Sequence, residues 1–362
     1  MVSEGTPQPL ITVWARSEAI RLAFDAYREH SRALQARRAA TASQAPVPSG
    51  AGSQGPVRQS AWRGASTTGQ GDVTVTTTIE PQQAEETRTR LVSFDLTRKC
   101  QLACTHCYNG SGTDGTHGTM TREDWARVLD EAAAYGVSTV QFIGGEPTMH
   151  PDLTHLTEHA LLLGMTVEVF TNLVHISPEH WALFALPGVS LGTSYYSAAA
   201  GKHDAVTGRA SHRRTRANIE QAINRGLSLR VGIITEEGDD GAAARADLES
   251  LGVSRIKIDH MRAFGRAAEP EVAPCMGDLC GKCGTSQAAI APDGTVSPCV
   301  MSGWVGVGNV KADTFSSIVG GAVMGRAKLD IRAATGFSPL CASTDDDECS
   351  PGTPGSDCSP RR

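Results

Sequence analysis

Short apolar runs alternate with amphipathic stretches through the middle of this chain. The apolar runs predict six strands, which span Leu91–Leu96, Thr139–Ile143, Thr166–Thr171, Val189–Tyr195, Ser228–Ile234 and Arg255–Asp259. The stretches between them predict five helices, which span Arg122–Tyr135, Leu153–Leu163, Pro178–Leu186, Arg213–Arg225 and Ala242–Leu251. Because strands that alternate with helices form parallel βα units, the pattern indicates an α/β domain with a parallel sheet.

Capping signals mark the ends of these helices. Thr121 and Asp124 have the spacing of a capping box, so we expect the first helix to begin directly after Thr121. Glycines follow four of the predicted helices at the place of a left-handed C-cap, and they are Gly136, Gly164, Gly226 and Gly252.

Residues 1–90 differ in character from the rest of the chain. Residues 17–40 have Ile20, Phe24, Tyr27 and Leu34 on roughly one face and predict a solvated or loosely docked helix. Residues 41–70 are rich in Ala, Ser, Gly, Pro and Gln, which bury little apolar surface, and they predict a flexible linker.

Length and composition exclude several classes of protein. The 362 residues suffice for one large domain with an appendage, and the net charge of −6 lacks the basic excess of a nucleic-acid-binding surface. No apolar run approaches the ~20 residues that span a bilayer, and no signal peptide is visible. We therefore expect a cytoplasmic protein without nucleic-acid or membrane partners. Since thiols stay reduced there, the ten cysteines predict metal ligands rather than disulfides.

Three of these cysteines, Cys100, Cys104 and Cys107, fall within eight residues in a C-x3-C-x2-C pattern. Buried free cysteines are common, but they seldom cluster on one loop. A zinc knuckle is a closer alternative, although zinc motifs usually pair C-x2-C with a second pair of ligands. Iron–sulfur clusters are usually held by four thiolates, so three would leave one iron open to a small molecule.

A second motif, Gly144-Gly145-Glu146-Pro147, follows the predicted strand Thr139–Ile143. Paired glycines let the backbone approach a ligand closely because no Cβ intervenes, and Glu146 adds a carboxylate beside that backbone.

Together the two motifs resemble the radical S-adenosylmethionine (SAM) superfamily. The resemblance implies a partial (βα)6 TIM-like barrel with both motifs at the C-terminal face, where barrel sites collect. It also implies that Cys100, Cys104 and Cys107 bind a [4Fe-4S] cluster, while Gly144, Gly145 and Glu146 hold the methionyl amino group of SAM. In this family the reduced cluster cleaves SAM to a 5′-deoxyadenosyl radical, which takes a hydrogen atom from the substrate.

Four further residues match positions that contact SAM in the family. His106 precedes the third cysteine, where an aromatic residue usually lies near the adenine. Asn172 and Ser194 end or nearly end the third and fourth predicted strands, and Arg209 follows the fourth. The Arg209 guanidinium would pair with the SAM carboxylate. A plain surface or capping role is the alternative for each.

The C-terminal region carries seven more cysteines, which are Cys275, Cys280, Cys283, Cys299, Cys341, Cys349 and Cys358. Pro292-Asp293-Gly294 predicts a turn between two short strand-like runs, and such a hairpin would bring the Cys283 and Cys299 thiols to one end. The C-x10-G-x4-C unit from Cys283 to Cys299 resembles the SPASM and twitch extensions, which bind auxiliary Fe–S clusters. The last three cysteines depart from the full SPASM spacing. Cys283 and Cys299 are the foremost ligand candidates, followed by Cys280 or Cys275 and Cys341, and zinc is the alternative metal.

The combined resemblance implies a cysteine-rich auxiliary region of one or two clusters over residues 266–362, after a radical SAM barrel over residues 91–265. Family members with this extension mostly act on peptides. We therefore expect an oxidoreductase or isomerase that matures a leader-bearing, ribosomally synthesised peptide by crosslinking, epimerisation or oxidation. A flavodoxin or ferredoxin would donate electrons. The alternatives are a radical SAM enzyme for a small molecule and a non-catalytic Fe–S or zinc module for electron transfer.

Overall fold

The computed structural model of the protein describes residues 89–236, 238–268 and 271–336. The predictions for residues 17–40 and 41–70, and those for Cys341, Cys349 and Cys358, lie outside these ranges. No helix in the described ranges is long and apolar enough to cross a membrane.

Six strands, with one or two α-helices between each strand and the next, form the first part of the described chain. Its strands are β1 Leu91–Asp95, β2 Thr139–Ile143, β3 Thr166–Phe170, β4 Val189–Tyr195, β5 Leu229–Thr235 and β6 Arg255–His260. Its α-helices are α1 Arg122–Tyr135, α2 Leu153–Leu162, α3 Pro178–Phe184, α4 Ala200–Thr207, α5 His212–Asn224 and α6 Ala242–Ser250. The six predicted strands are present to within one residue at each end. Helix α4 was not predicted, because its sequence shows no apolar periodicity.

The second part adds three short strands, β7 Gln287–Ile290, β8 Thr295–Ser297 and β9 Gly308–Asn309, and two helices, α7 Phe315–Val319 and α8 Ala322–Thr335. Single-turn 3₁₀ helices span Pro147–Met149, Gly265–Ala267, Met276–Asp278 and Val300–Ser302. The predicted hairpin is present, with Ala289 opposite Ser297.

All nine strands belong to one sheet in the order β6-β5-β4-β3-β2-β1-β7-β8-β9. Strands β1 to β6 are parallel, and β7 pairs parallel to β1 in a register that places Leu91 opposite Gln287. The predicted α/β fold, a partial (βα)6 barrel with a C-terminal extension, is confirmed. The sheet also shows what the sequence did not: the C-terminal hairpin continues the barrel sheet beyond β1.

Helix α1 illustrates how the hydrophobic pattern becomes packing. Thr121 and Asp124 form the predicted capping box, and Gly136 ends the helix with φ 100°. Trp125, Val128, Leu129 and Ala132 are buried at i, i+3, i+4 and i+7. The Trp125 ring lies 5.5 Å from that of Phe94 on β1. Full burial of a side chain such as Val128 or Leu129 contributes roughly 1.5–3 kcal/mol.

A polar ladder crosses the barrel strands. Ser93 Oγ donates to Gln141 Oε1 over 2.9 Å, and Gln141 Nε2 donates to Glu168 Oε1 over 2.7 Å. Arg230, which is 1% exposed, donates through Nε and Nη2 to the two oxygens of Glu168 at 2.6 and 2.7 Å. Because each buried group has a partner, the ladder fixes the strands without leaving a charge uncompensated.

Candidate functional site

The loop after β1 carries the first three cysteines. It is tied to the end of α4, since Ala103 N donates to Thr207 O over 3.0 Å and Thr105 N to Val206 O over 2.9 Å. Cys100 is 6% exposed, and Cys104 and Cys107 are half-buried. The unpredicted helix α4 therefore holds one side of this loop.

All three cysteines line one cavity of about 160 Å³ at the C-terminal edge of the parallel strands. Gly144 and Gly145 line it from the turn after β2. Further lining residues from the other barrel elements include Phe170, Asn172, Ser194, Tyr196, His203 and Thr215. The two sequence motifs thus meet in one place.

Two of the cavity thiols, those of Cys100 and Cys104, are held in their neutral form in the absence of metal. Burial, and then the Glu146 charge, raise the pKa of Cys100 to about 12. Burial, and then Cys107, raise the pKa of Cys104 to about 11. Since metal binding requires thiolates, loading this site must release these protons.

The Gly144-Gly145 turn packs against the cysteine loop. A Cβ on Gly144, whose φ is +152°, would lie 2.7 Å from Thr97 O, and one on Gly145 would lie 2.4 Å from Lys99 O. Gly145 N also donates to Thr97 O over 2.6 Å. Any larger residue would push the turn away from the loop, so the glycines also allow protein to pack on protein.

Glu146 is placed differently from the sequence expectation. Its side chain is fully buried, at 0% exposure, and it is absent from the cavity lining. Oε1 accepts from Thr148 N, Thr148 Oγ1 and Thr171 Oγ1 at 3.1, 2.7 and 2.7 Å, and Oε2 accepts from Asn172 N at 2.8 Å. Burial raises the pKa of this carboxyl, and the hydrogen bonds oppose that rise. Glu146 therefore anchors the turn to the end of β3.

Three of the four remaining SAM candidates line the cavity. They are His106, Asn172 and Ser194, and Asn172 Nδ2 lies 3.7 Å from Cys100 Sγ. The fourth, Arg209, is exposed and is not part of the lining. Arg262 and Arg266 reach the cavity instead, from the segment after β6. The sequence motifs had marked neither arginine as a site residue.

Two imidazoles of the cavity wall have buried ring nitrogens without a hydrogen-bond partner. They are Nδ1 of His106 and Nδ1 of His203. Burial lowers the pKa of both rings to about 4, with the Arg266 charge adding to the effect at His106 and His212 at His203. The Tyr196 ring lies between them, 4.9 Å from His106 and 5.2 Å from His203. Both rings are therefore neutral near pH 7 and free to bond to a ligand. His203 and Tyr196 were missed because α4 was missed and Tyr196 lies just beyond β4.

The second group of cysteines lies beside the hairpin. Cys283 Sγ is 3.3 Å from Cys299 Sγ and 3.8 Å from Cys280 Sγ. Hydrogen bonds to Cys280 and Cys299, together with burial, raise the pKa of Cys283. Cys275 is exposed, and its Sγ accepts from Gly277 N over 3.3 Å. The structure thus gathers three of the predicted auxiliary cysteines and leaves Cys275 at the surface.

A second cavity of about 650 Å³ adjoins the first. Tyr108 and Met301 line both, so they form the wall between the cysteine loop and the extension. The Tyr108 hydroxyl and Oδ1 of Asp95 are buried without a hydrogen-bond partner, and both residues line the larger cavity. This volume falls in the range of about 300–1,000 Å³ that is usual for ligand sites.

The donor chemistry of both cysteine groups fits iron–sulfur clusters. Each offers three thiols outside any disulfide, and the first faces a cavity with unpartnered imidazole nitrogens. In the described ranges, no three side chains of His, Cys, Asp or Glu are arranged to ligate a single metal ion.

Solved structures share this fold. Streptococcus suis SuiB bound to precursor peptide SuiA matches with a TM-score of 0.56 at 14% identity, over 67% of each chain. Native anSMEcpe with bound AdoMet and Kp18Cys peptide matches with a TM-score of 0.54 at 13% identity, over 69% of this chain and 84% of that chain. At such identities the likeness concerns the fold alone.

Curated relatives match over part of the chain. The PqqA peptide cyclase of Streptomyces rochei is 30% identical over 175 residues, which are 48% of this chain and 48% of that protein. The mycofactocin maturase MftC of Mycobacterium ulcerans is 30% identical over 184 residues, which are 49% of each. The chain thus spans about half the length of these two relatives.

Two family models match in sequence order. Residues 94–244 match the Radical SAM superfamily, and residues 280–349 match SPASM, an iron-sulfur cluster-binding domain. The first implies a [4Fe-4S] cluster and SAM, and the second implies auxiliary iron–sulfur binding. The cysteine loop lies inside the first match, and Cys280, Cys283 and Cys299 lie inside the second. The chain therefore carries a region that matches the radical SAM superfamily, followed by a region that matches the SPASM domain.

Proposed function

We propose that this protein is an enzyme that cleaves SAM reductively and abstracts hydrogen from a peptide, as a step in maturing a ribosomally synthesised peptide. One observation carries the proposal. Three free thiols and the Gly144-Gly145 turn converge on a cavity at the C-terminal edge of the barrel, and a second thiol group lies behind the wall made by Tyr108 and Met301.

Cys100, Cys104 and Cys107 would hold the [4Fe-4S] cluster, and the open iron would take SAM. When bound, these cofactors supply an electron to the sulfonium and a 5′-deoxyadenosyl radical that takes hydrogen from the substrate. The chain binds and shields them. His106 and Asn172 would contact SAM or its cluster from the cavity wall, as would Ser194, while the turn carrying Gly144 is fixed by the buried carboxylate of Glu146.

Cys280, Cys283 and Cys299 would hold an auxiliary cluster. Cys275 or Cys341 would supply a fourth thiolate, and Cys349 and Cys358 remain candidates for a second cluster. This layout gives a barrel over residues 91–265 and an auxiliary region over residues 266–362, preceded by the helix and linker predicted in residues 1–90.

A peptide substrate is supported by the relatives and by the larger cavity. PqqA peptide cyclase and mycofactocin maturase are both named for peptide or maturation chemistry. Val272 and Trp304, which are 58% and 39% exposed, line the larger cavity and offer apolar surface to an incoming chain. The larger cavity meets the cysteine-lined cavity at Tyr108. A peptide residue bound in the larger cavity at Tyr108 would therefore lie beside the SAM site.

The partners we propose are a leader-bearing precursor peptide and a reducing protein such as flavodoxin or ferredoxin. A cytoplasmic location would keep the seven cysteines of the described ranges reduced and available to iron.

Anaerobic reconstitution with iron and sulfide tests the enzymatic proposal. With dithionite and SAM, the wild-type protein should release 5′-deoxyadenosine, and a Cys100→Ala/Cys104→Ala/Cys107→Ala variant should not. Iron per chain, measured for both proteins, counts the auxiliary clusters. A wild-type protein that binds iron yet releases no 5′-deoxyadenosine would be an electron-transfer module instead.

Mass spectrometry tests the peptide substrate. The gene would be co-expressed with the short open reading frames beside it, using the triple alanine variant as the control. A crosslink removes two hydrogens, oxidation changes the mass, and epimerisation leaves it unchanged but alters chiral amino-acid analysis. SAM cleavage with every neighbouring peptide unaltered in mass and chirality would favour a small-molecule substrate.

A further inference from the structure

A segment of three residues connects the two cysteine groups, and it consists of Phe264, Gly265 and Arg266. They lie after β6, between the barrel and the auxiliary region, and Gly265 and Arg266 belong to a single 3₁₀ turn. Phe264 packs beside the auxiliary cysteines, and Arg266 is hydrogen-bonded to the loop that carries Cys100, Cys104 and Cys107.

Arg266 makes three hydrogen bonds to the cysteine loop. Its backbone N donates to Cys107 O over 3.0 Å, its Nε to Cys104 O over 2.7 Å and its Nη1 to Ser111 O over 2.8 Å. The guanidinium fork presents its donors in a fixed plane, so it holds two separated carbonyls in one geometry. These bonds span the loop from the second cysteine to a point beyond the third.

Gly265 permits this approach. Its φ is +58°, and a Cβ there would lie 2.3 Å from Cys107 O and 2.4 Å from Tyr108 O. No other residue fits without moving the backbone beside the third cysteine.

Phe264 forms the other end of the connection. It is 2% exposed and packs in one apolar cluster with Leu279, Cys283 and Cys299. Its ring also lies 5.1 Å from that of Trp304. The position of Arg266 is therefore set by the packing around the auxiliary thiols.

We propose that Arg266 is a positioning residue that orders the cysteine loop and favours the reduced state of the cluster held there. Reduction adds one negative charge to the cluster, and a nearby cation stabilises that charge. Cluster potentials respond to nearby charge and hydrogen bonding in this way. Through Phe264, the order of the loop also depends on the auxiliary cysteine core. The effect of Arg266 on catalysis rests on the proposed function. Its effect on the order of the loop does not.

The effect of Arg266 on the order of the cysteine loop is tested without any cluster, by hydrogen exchange of the full-length apo protein. Arg266→Gln removes the guanidinium and should speed exchange in peptides that cover residues 100–112, relative to wild type. The matched control is Arg326→Gln, which removes an exposed guanidinium paired with Asp330 of α8 and should leave this loop unchanged. Equal protection of the loop in wild type and Arg266→Gln overturns the positioning role.

The charge is tested by redox titration of the reconstituted protein, followed by electron paramagnetic resonance. Arg266→Gln should shift the midpoint potential of the SAM cluster to more negative values. Arg266→Lys keeps the charge but loses the fork, so it should stay nearer the wild-type potential while losing loop protection. If Arg266→Gln binds no cluster, the Arg266→Lys variant decides the role of charge. A midpoint potential like that of wild type supports this role. A marked negative shift of the potential, or a failure of Arg266→Lys to bind the cluster, overturns it. An unchanged potential in Arg266→Gln overturns it as well.

Uncoupled SAM cleavage provides the third measurement. Loss of an outer-shell partner typically costs about 10- to 100-fold, and we expect Arg266→Gln to slow 5′-deoxyadenosine release within that range. If wild type releases none, the proposed function fails, while the exchange and potential measurements still decide the role of Arg266.

Discussion

The two cysteine groups differ in what surrounds their thiols. Those of the barrel loop contact polar groups of their own loop and one open cavity: Cys107 Sγ lies 3.1 Å from Asn109 Oδ1, and Leu102 N donates to Cys100 Sγ over 3.4 Å. Those of the extension contact one another, with Cys283 3.3 Å from Cys299.

This difference separates two kinds of metal centre. A group that faces a cavity leaves room for a small molecule on the metal, whereas a group packed among Phe264, Leu279 and Ile331 is closed by protein. The first is suited to binding a reactant, and the second to holding a cluster in place. Tyr108 and Met301 line both cavities and separate the two groups.

The largest expected effect is on SAM cleavage. Cys104→Ala should lower uncoupled 5′-deoxyadenosine release by ~100-fold or more, beyond the usual loss of an outer-shell partner, because it removes a proposed ligand. Cys283→Ala should keep most of this activity while losing auxiliary iron. Val323→Ala, at a position that is 60% exposed, serves as the control. Equal losses in Cys104→Ala and Cys283→Ala would show that the two groups act as one centre.

A smaller effect is expected from Asn172, which contacts the first cysteine group. Its Nδ2 lies 3.7 Å from Cys100 Sγ, and its Oδ1 accepts from Gln101 Nε2 over 3.0 Å. Asn172→Ala should weaken retention of the SAM cluster under chelator by roughly 10-fold. Auxiliary iron should be unaffected, and exposed Asn224→Ala is the control. Loss of iron from the SAM cluster and from the auxiliary cluster at the same rate would contradict the view that Asn172 acts on the first cysteine group alone.

A change in the packing around the auxiliary cysteines is expected to have a modest effect on folding stability. Ile331 on α8 is fully buried against Cys283 and Cys299. Ile331→Val should lower the free energy of unfolding by about 0.5–1.5 kcal/mol, because it removes a buried methyl group. Denaturant unfolding of the apo protein measures this, with the exposed Leu329→Val as the control. An equal free energy of unfolding in wild type and Ile331→Val would contradict this packing role.

The smallest expected effect is the contribution of a cavity histidine, His203, to the loss of folding stability at acidic pH. Burial, then His212, lower the folded-state pKa of His203 to about 4, so folding favours the neutral ring. Its stabilising contribution is complete above the unfolded pKa of about 6.5 and is lost as pH falls from there towards 4. The buried carboxyls of Asp95 and Glu146 have raised pKa values and oppose this trend.

Thermal unfolding of the apo protein between pH 7.5 and 5 measures the histidine contribution. His203→Gln should show a shallower loss of stability on acidification than wild type. His155→Gln, at an exposed position, should follow the wild-type curve. A steeper loss in His203→Gln would reverse the sign argued here.

Local signals predicted much of the barrel and half of the site. Strand and helix bounds followed from apolar periodicity, and the capping box at Thr121 followed from spacing alone. The meeting of Cys283 and Cys299 followed from one turn signal. In contrast, Glu146 was expected at the ligand, and its direction is set by Thr171 and Asn172, more than twenty residues away.

By itself, the sequence determined which residues have the chemistry: the thiols, the paired glycines and the alternation that brings strand ends to one edge. These depend on residue type and short spacing. The tertiary structure alone decided which groups meet. Arg266 reaches Cys104 across 162 residues and Arg230 reaches Glu168 across 62, and the hairpin continues the sheet beyond β1. Such contacts leave no local pattern, because each partner has an ordinary polar or apolar neighbourhood until folding brings the two together.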